Sequence, residues 1–395
     1  MISGPELCPH APSCVPCPLR GLPYRMQLAR KRALVQSALG SMPALGGVVP
    51  ERVVGSRDLF GYRHVVKLAV RARRDGALRA GVYAPGTHCL VDAERCAAQH
   101  PALSEVLAAV LEEASRLRIA AYDERRHVGE LRYLVARYGA WRQRVQLVLV
   151  TALRETNRLR ELSRRVVRRC RVLGGIVHNY NPARGNVILG STFATLRPPA
   201  ALVERFGELE LEAGPSSFLQ VNPWTARRIY ETALEWAAPE REERALDLYC
   251  GVGPLSLSLA ARAAFVVGIE ESPQAITDAR ANQRRNRRYN LRFEQGDAEE
   301  AIARLHATIG AVEIVTLNPP RKGASAAVLE SIAALRPQRI VYVSCEPRTL
   351  ARDLERLAEL GYRTARVRPF DMLPQTEHVE TVSLLVPKST PRTGS

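Results

Sequence analysis

The chain has no long apolar run. None of its 395 residues falls in a stretch approaching the ~18 uninterrupted apolar positions of a membrane span, so no membrane partner is expected. Its start, MISGPELCPH, has neither a basic n-region nor an apolar h-region. The sequence therefore predicts no secretory signal and a cytoplasmic location. Acidic residues are in deficit, with 40 Asp and Glu against 57 Lys and Arg, a formal net charge of +17 carried mostly by arginine. Such an excess favours a polyanionic partner through phosphate contacts and counterion release. A soluble surface from an arginine-preferring genome would give the same charge. Disulfides are not expected of a cytosolic chain, so the eight cysteines are read as thiols or ligands.

What is present divides near Pro199. Before it, strand-like "GYRHVVKLAVR", "LRAGVYAPGTHCLVD" around a Pro85-Gly86 turn, "LRYLVARYG" and "RVQLVLVTA" alternate irregularly with two helical segments, "ALSEVLAAVLEEASRL" and "NRLRELSRRVVRRCRVL". "GGIVHNYNPARGNVILG" reads as strand, polar loop, strand. This half is α+β in pattern. From Ala245, strands and helices alternate regularly through "ALDLY", "FVVGIE", "LRFEQGD", "EIVTLN" and "RIVYVSC", closing with "TARVRPFD" and "VETVSLLVP". That rhythm predicts an α/β, doubly wound, mostly parallel sheet. The tail PKSTPRTGS is expected to be disordered.

A third glycine is missing from "CGVGPLS", where Ser256 stands in its place. The dinucleotide fingerprint is thus incomplete and a pyrophosphate cradle disfavoured. Gly251 and Gly253 still let backbone approach a ligand at a strand end. A nucleoside cofactor without phosphates fits better, and S-adenosylmethionine is the candidate. Glu270 closes the next strand, placed for the ribose hydroxyls, and Asp297 closes the one after, placed for the adenine amine. Asn318 tips the fourth strand in "NPPRKG", and Arg321 stands where exocyclic-amine methyltransferases carry an aromatic residue. That substitution points away from amine methylation.

Cys345 ends the fifth strand, just before a helix opened by Thr349 and nearby backbone N–H groups, whose dipole would lower a thiol pKa. An inert packing cysteine is the bland alternative. "RPFDMLPQTEHVE" then offers Asp371, His378 and Glu380, the last at the start of an apolar strand where a carboxylate is out of place unless it has chemical work. Together "FLQVN" from Phe218 to Asn222, "DLYCGVG", "GIE", "NPPRKG", "SCEPRTLARD" and "LPQTEHVE" resemble the S-adenosylmethionine-dependent RNA uracil-C5 methyltransferases over nearly the whole chain. The resemblance implies that Cys345 is the nucleophile and Glu380 the proton-abstracting base. It implies that Gln220, Tyr249, Glu270 and Asn318 bind the cofactor, with Gly251 in the turn and Asp297 a weaker match, and that Phe218 stacks on the target base. It also implies a Rossmann-like class I methyltransferase domain at 206–395. Ahead of it are expected an α+β RNA-binding domain at 49–205 and a Cys-rich segment with a basic helix at 1–48, the whole acting as a monomer.

Cys8, Cys14 and Cys17 have metal-ligand spacing and lack a fourth ligand. Cys96 and Cys89 are candidates, then His10, His88 and His100, and spacing does not separate zinc from an iron–sulfur cluster. Resemblance to the ribosomal-RNA branch implies a [4Fe–4S] cluster completed by Cys96 in "VDAERCAAQHP", with zinc as the alternative. Arg30, Lys31, Arg32, Arg63, Lys67 and the run Arg164, Arg165, Arg168, Arg169, Arg171 are the expected phosphate-facing surface. Members often have Asp at Asn318 and Asn at Glu346. Asn318 occurs in the shorter ribosomal branch, and the chain begins at its cysteines without the small β-barrel of some relatives. Both suggest 23S rRNA as substrate, with tRNA as the alternative. An amino-group methyltransferase and a non-catalytic RNA-binding protein are the remaining rivals, disfavoured by the pairing of Cys345 with Glu380.

Overall fold

The computed structural model describes residues 8, 14, 16–84, 86–306 and 310–388. His10, Pro85 and the tail beyond Lys388 lie outside them. The chain divides into two compact units. The first helix, α1 (Tyr24–Gly40), belongs to the second unit, with residues 22–57 and the chain from Trp224 onward. The sequence reading grouped this helix with the cysteine segment. Its Val35 and Leu39 are buried instead in the core beneath the second unit's sheet.

The first unit is built on a seven-stranded sheet of order β3-β2-β1-β4-β5-β6-β7. Its strands are β1 (Val65–Ala72), β2 (Leu78–Tyr83), β3 (Leu90–Asp92), β4 (Leu131–Gly139), β5 (Arg144–Thr151), β6 (Leu173–Tyr180) and β7 (Thr192–Arg197). Only β5 and β6 pair in parallel, and the helix that crosses between them is α3 (Asn157–Arg169). That helix and α2 (Pro101–Arg116) cover one face with Leu103, Leu107, Val110, Leu159 and Leu162, all buried. The expected strand at "NVILG" does not form. Asn181 Nδ2 donates to the carbonyls of Val187 and Ile188, and Asn179 Nδ2 to that of Gly190. These side chains take the place of ladder partners, and the next strand starts only at Thr192.

The division between units falls around β8 (Leu202–Phe206) and β9 (Leu209–Ala213). After α4 (Pro223–Ala237), the second unit follows the expected alternation. It runs β10 (Arg244–Leu248), α5 (Pro254–Leu259), β11 (Phe265–Glu270), α6 (Pro273–Arg285), β12 (Leu291–Gln295), α7 (Ala298–His306), β13 (Ile314–Leu317), α8 (Ala326–Ala334), β14 (Arg339–Ser344), α9 (Pro347–Glu359), β15 (Tyr362–Phe370) and β16 (Glu380–Pro387). The sheet order is β12-β11-β10-β13-β14-β16-β15, a Rossmann-like doubly wound sheet. β10 to β14 are parallel, and β16 inserts antiparallel between β14 and β15. Leu248, Ile269, Leu317 and Tyr342 face a core closed by α1, α7, α8 and α9. The other face meets α5 and α6. Inserting β16 beside β14 brings the chain back to the strand end where Cys345 stands.

The β10–α5 turn needs left-handed backbone at Gly251 (φ +57) and Gly253 (φ +88). A Cβ on Gly253 would lie 2.6 Å from the Phe293 ring, whereas one on Gly251 would meet nothing within 4 Å. Gly253→Ala is therefore expected to cost about 1–3 kcal/mol by overpacking added to backbone strain, and Gly251→Ala about 1 kcal/mol from backbone conformation alone. Chemical denaturation of the two variants checks this, and equal losses would contradict it.

Candidate active site

Within the second unit, the residues expected to bind the cofactor lie at the ends of β10, β11, β12 and β13. Asp247, buried within that strand, accepts from Thr316 Oγ1 at 2.7 Å and from Ser256 Oγ, the residue that displaced the third glycine. Burial pushes its carboxyl up to about 6. Tyr249 follows in left-handed backbone (φ +59) and starts the turn. Cys250 is buried with its thiol pushed well up, first by desolvation. Gly251 N donates to Glu270 Oε2 at 3.1 Å, and Ser272 N donates to Glu270 Oε1 at 2.9 Å. The carboxylate at the tip of β11 is thus fixed by two backbone donors, and each oxygen keeps a lone pair for a ribose hydroxyl. With the open space over Gly251, this donor set fits a nucleoside. Asp297 Oδ1 accepts from Glu299 N at 2.8 Å in opening α7. Asn318 N reaches Leu248 O at 3.3 Å, which sets the tip of β13 beside the end of β10. Gln220 and Phe218 lie in the first unit, and Phe218 is 68% exposed.

Cys345 and Glu380 come together through strand register. Ser344 on β14 pairs with Thr381 on β16, so Cys345 and Glu380 are the next positions along the same ladder. Each perturbs the other or shares its surroundings. The Cys345 thiol is pushed up by desolvation first and then by the Glu380 carboxylate, and the Arg321 guanidinium opposes the rise by charge and by a hydrogen bond. Burial pushes Glu380 up to about 7, again opposed by Arg321. The expected lowering of the thiol pKa by α9 is therefore overturned: burial and the neighbouring carboxylate outweigh the helix end.

Arg321 is the residue that sequence reasoning passed over, having read it only as a missing aromatic. Its NH2 lies 3.3 Å from His378 Nδ1, and its carbonyl accepts from Thr349 Oγ1 at 3.0 Å. The loop from Asn318 to Arg321 is thereby tied to the first turn of α9. One guanidinium, beside a sulfur and a carboxylate that disfavour each other's ionisation, is a signal that sequence spacing does not carry.

The cysteine set is partly gathered. Cys17 is pushed up to about 11, first by burial, then by Cys96, Cys14 and Cys8, with Arg63 opposing. Cys14 rises for the same reasons, from burial and then Cys96 and Cys8. Cys89 is exposed, His88 Nδ1 stands 3.7 Å from Glu124, and His100 stacks on Tyr138 at 3.7 Å. Among the described residues, no three His, Cys, Asp or Glu side chains stand in a metal-holding arrangement.

One expected phosphate contact is corrected, and others are paired with carboxylates at the surface. Lys31 is fully buried, paired with Asp371, and cannot face RNA. Arg30 bridges Glu377 at 2.7 Å. Arg164 and Arg165 pair with Glu161, while Arg165 and Arg169 reach Glu113 and Arg169 also Glu112. Much of that run is internally neutralised. Among the described residues, no helix is long and apolar enough to cross a membrane.

A family model for tRNA (uracil-5-)-methyltransferases matches residues 208–388. A protein of Geobacter sulfurreducens, described as an uncharacterized RNA methyltransferase, is 40% identical across 96% of this chain and 77% of its own length. A similarly described protein of Halalkalibacterium halodurans is 37% identical across 96% and 82%. The crystal structure of Pyrococcus abyssi tRNA (uracil-54, C5)-methyltransferase with S-adenosyl-L-homocysteine superposes with a TM-score of 0.77, at 28% identity, over 95% of this chain and 86% of that one. On the strength of these likenesses and of the site built at its strand ends, the chain belongs to the S-adenosylmethionine-dependent RNA uracil-C5 methyltransferase family.

Proposed function

We propose that the protein methylates C5 of a uridine in 23S rRNA through a covalent adduct between Cys345 and C6. The observation that carries this reading is the meeting of Cys345, Glu380 and Arg321 at the end of the sheet where the turn after β10 also lies.

Uracil C5 is a weak nucleophile. Addition of the Cys345 thiolate to C6 moves the ring electrons towards O4 and raises electron density at C5. Arg321, which donates to the sulfur, favours the thiolate against the pull of burial. The bound cofactor supplies an electrophilic methyl group on a sulfonium. C5 takes that methyl, and Glu380 removes the C5 proton. The electron pair left behind re-forms the C5–C6 double bond and expels the Cys345 sulfur. A carboxyl titrating near 7 suits this task, because it is ionised often enough to accept and basic enough to hold the proton.

In this reading Tyr249, Gly251, Glu270, Asp297 and Asn318 hold the cofactor, joined by Gln220 from its match to the family motif. Phe218 stacks on the extruded base, a role that suits an exposed aromatic. Cys8, Cys14, Cys17 and Cys96 hold a [4Fe–4S] cluster with a structural role, supported by their spacing and by the mutual influence of their thiols. Zinc is the alternative metal. A tRNA acceptor is the second reading, favoured by likeness to the Pyrococcus abyssi tRNA enzyme over most of the chain. The cysteine set and Asn318, which resemble the ribosomal branch, support rRNA.

Cys345→Ala is expected to abolish methyl transfer while cofactor and RNA binding persist. Glu380→Gln is expected to trap a protein–RNA adduct on a denaturing gel. Near-normal turnover in the first variant refutes the nucleophile, and normal product without a shifted band in the second refutes the base.

Turnover should rise from pH 6 to pH 8, as Glu380 ionises near 7 and the thiolate fraction grows. Stability should move the other way. A carboxyl whose folded pKa is raised binds its proton more tightly when folded, so its contribution is lost as pH rises from the ordinary carboxylate range through 7. Glu380→Gln should accordingly gain roughly 2–3 kcal/mol more at pH 8 than at pH 4 in denaturant melts. A gain that does not depend on pH would contradict the titration.

Iron and sulfide analysis of anaerobically purified protein should find both, with Cys96→Ser losing them. Stoichiometric zinc without iron rejects the cluster. Mass mapping of 5-methyluridine in 23S rRNA and in tRNA, with and without the gene, should show loss in 23S rRNA alone. Loss confined to tRNA selects the second reading.

A further inference from the structure

One of the chain's four lysines, Lys31, is buried completely against Asp371, which is also fully buried. Neither has a part in the chemistry above. A buried ion pair is poor evidence of stability, since its desolvation cost rivals its attraction and an apolar pair of similar volume often serves as well. Such a pair is better explained by what it fixes. Asp371 directly follows Phe370, whose register partner on β16 is Glu380, so the carboxylate opens the hairpin loop that Glu380 closes.

That loop is held largely by side chains of one helix face. Tyr24, Gln27 and Lys31 stand at helical spacing along α1. Lys31 Nζ donates to Asp371 Oδ1 and to Leu373 O, the latter at 3.0 Å. Tyr24 Oη donates to Asp371 Oδ2 at 2.8 Å and accepts from Ser56 N at 2.7 Å. Gln27 forms a reciprocal pair with Gln375: its Nε2 donates to Gln375 Oε1 at 2.9 Å, and its Oε1 accepts from Gln375 N at 3.0 Å. Asp371 N reaches Val54 O at 2.9 Å, and Thr225 Oγ1 donates to Asp371 O at 3.3 Å. Farther along, His378 meets Arg321, the residue that bonds to the Cys345 sulfur.

We propose that Lys31 and Asp371 are positioning residues for proton abstraction, clamping the Asp371–Val379 loop to α1 so that Glu380 and His378 are presented to the reacting base. This rests on the reading of Glu380 as the base. The pair touches neither substrate nor cofactor. Its main effect falls on the second half of the reaction, because Glu380 closes the loop itself, whereas Cys345 is carried by β14 and α9 and is reached from the loop only through His378 and Arg321.

The test compares the volume-matched double variant Lys31→Met/Asp371→Leu with Glu380→Gln and the unaltered enzyme. Folded fraction, RNA KM, single-turnover rate and the fraction of protein in denaturation-resistant RNA adduct are measured. The double variant should fold, keep its KM within about 2-fold, lose about 10-fold in rate and accumulate adduct several-fold over the unaltered enzyme. A merely structural pair would lower the folded fraction and leave rate and adduct per folded molecule unchanged, which overturns the proposal, as does a lost rate without adduct. Should the double variant not fold, Tyr24→Phe removes one bond to Asp371 and leaves the ion pair. It should show the same adduct accumulation at about 2–3-fold, and unchanged adduct there overturns the proposal equally. Adduct in Glu380→Gln but not in the α1 variants defeats the clamp and leaves the base standing. Normal turnover of Glu380→Gln defeats the base itself, and the clamp with it.

Discussion

The second unit's chemistry depends on one electrostatic compromise. A thiol and a carboxyl sit next to each other where both are partly withdrawn from water, and each ionisation opposes the other. The Arg321 guanidinium opposes the rise of both. Loss of this guanidinium would raise both groups further. In the proposed mechanism the two groups act in turn, the thiol ionising when an electrophilic ring arrives and the carboxylate taking up a proton once the ring has been methylated. The compromise also explains why the fold tolerates a carboxylate at the head of an apolar strand.

Backbone register delivers that arrangement. β16 runs antiparallel between β14 and β15, and the ladder from Ile340 opposite Leu385 to Ser344 opposite Thr381 leads directly to Cys345 and Glu380. A shift of one residue would turn Glu380 to the other face of the sheet. Register is strongly specified here because Val341, Val343, Val382 and Leu385 are buried. The same sheet edge carries the turn after β10 and the tip of β11, so the proposed cofactor site and the Cys345–Glu380 pair share one sheet, parallel except at β16.

Much of this was legible in the sequence. The alternation from Ala245 gave the doubly wound sheet because buried parallel strands are continuous apolar runs with glycine or helix caps at their ends, and both signals are local. Ser256 in the place of a third glycine argued against a pyrophosphate, and in the fold it braces Asp247 beneath the turn. Most of what stayed hidden depends on contacts distant in the chain. Lys31 looked like one more surface cation, yet its partner is 340 residues away. The arginines of α3 looked like a phosphate-binding face, yet Glu112 and Glu113 come from another helix to meet them. The strand expected at Val187 is lost to two asparagine side chains that satisfy its carbonyls. In the first two cases a polar contact distant in the chain overrode a reading that composition alone supports, and in the third side chains within the same loop region did so.

In the proposed mechanism the Cys345 sulfur bonds to the pyrimidine during methyl transfer. Substrate RNA bearing 5-fluorouridine at the target tests this, because fluorine replaces the proton that the base must remove and the adduct cannot resolve. The expected result is a cofactor-dependent, denaturation-resistant complex whose digest carries the methylated fluoropyrimidine on the peptide containing Cys345. A complex attached through another residue, or methylation with no covalent species at any time, would contradict it.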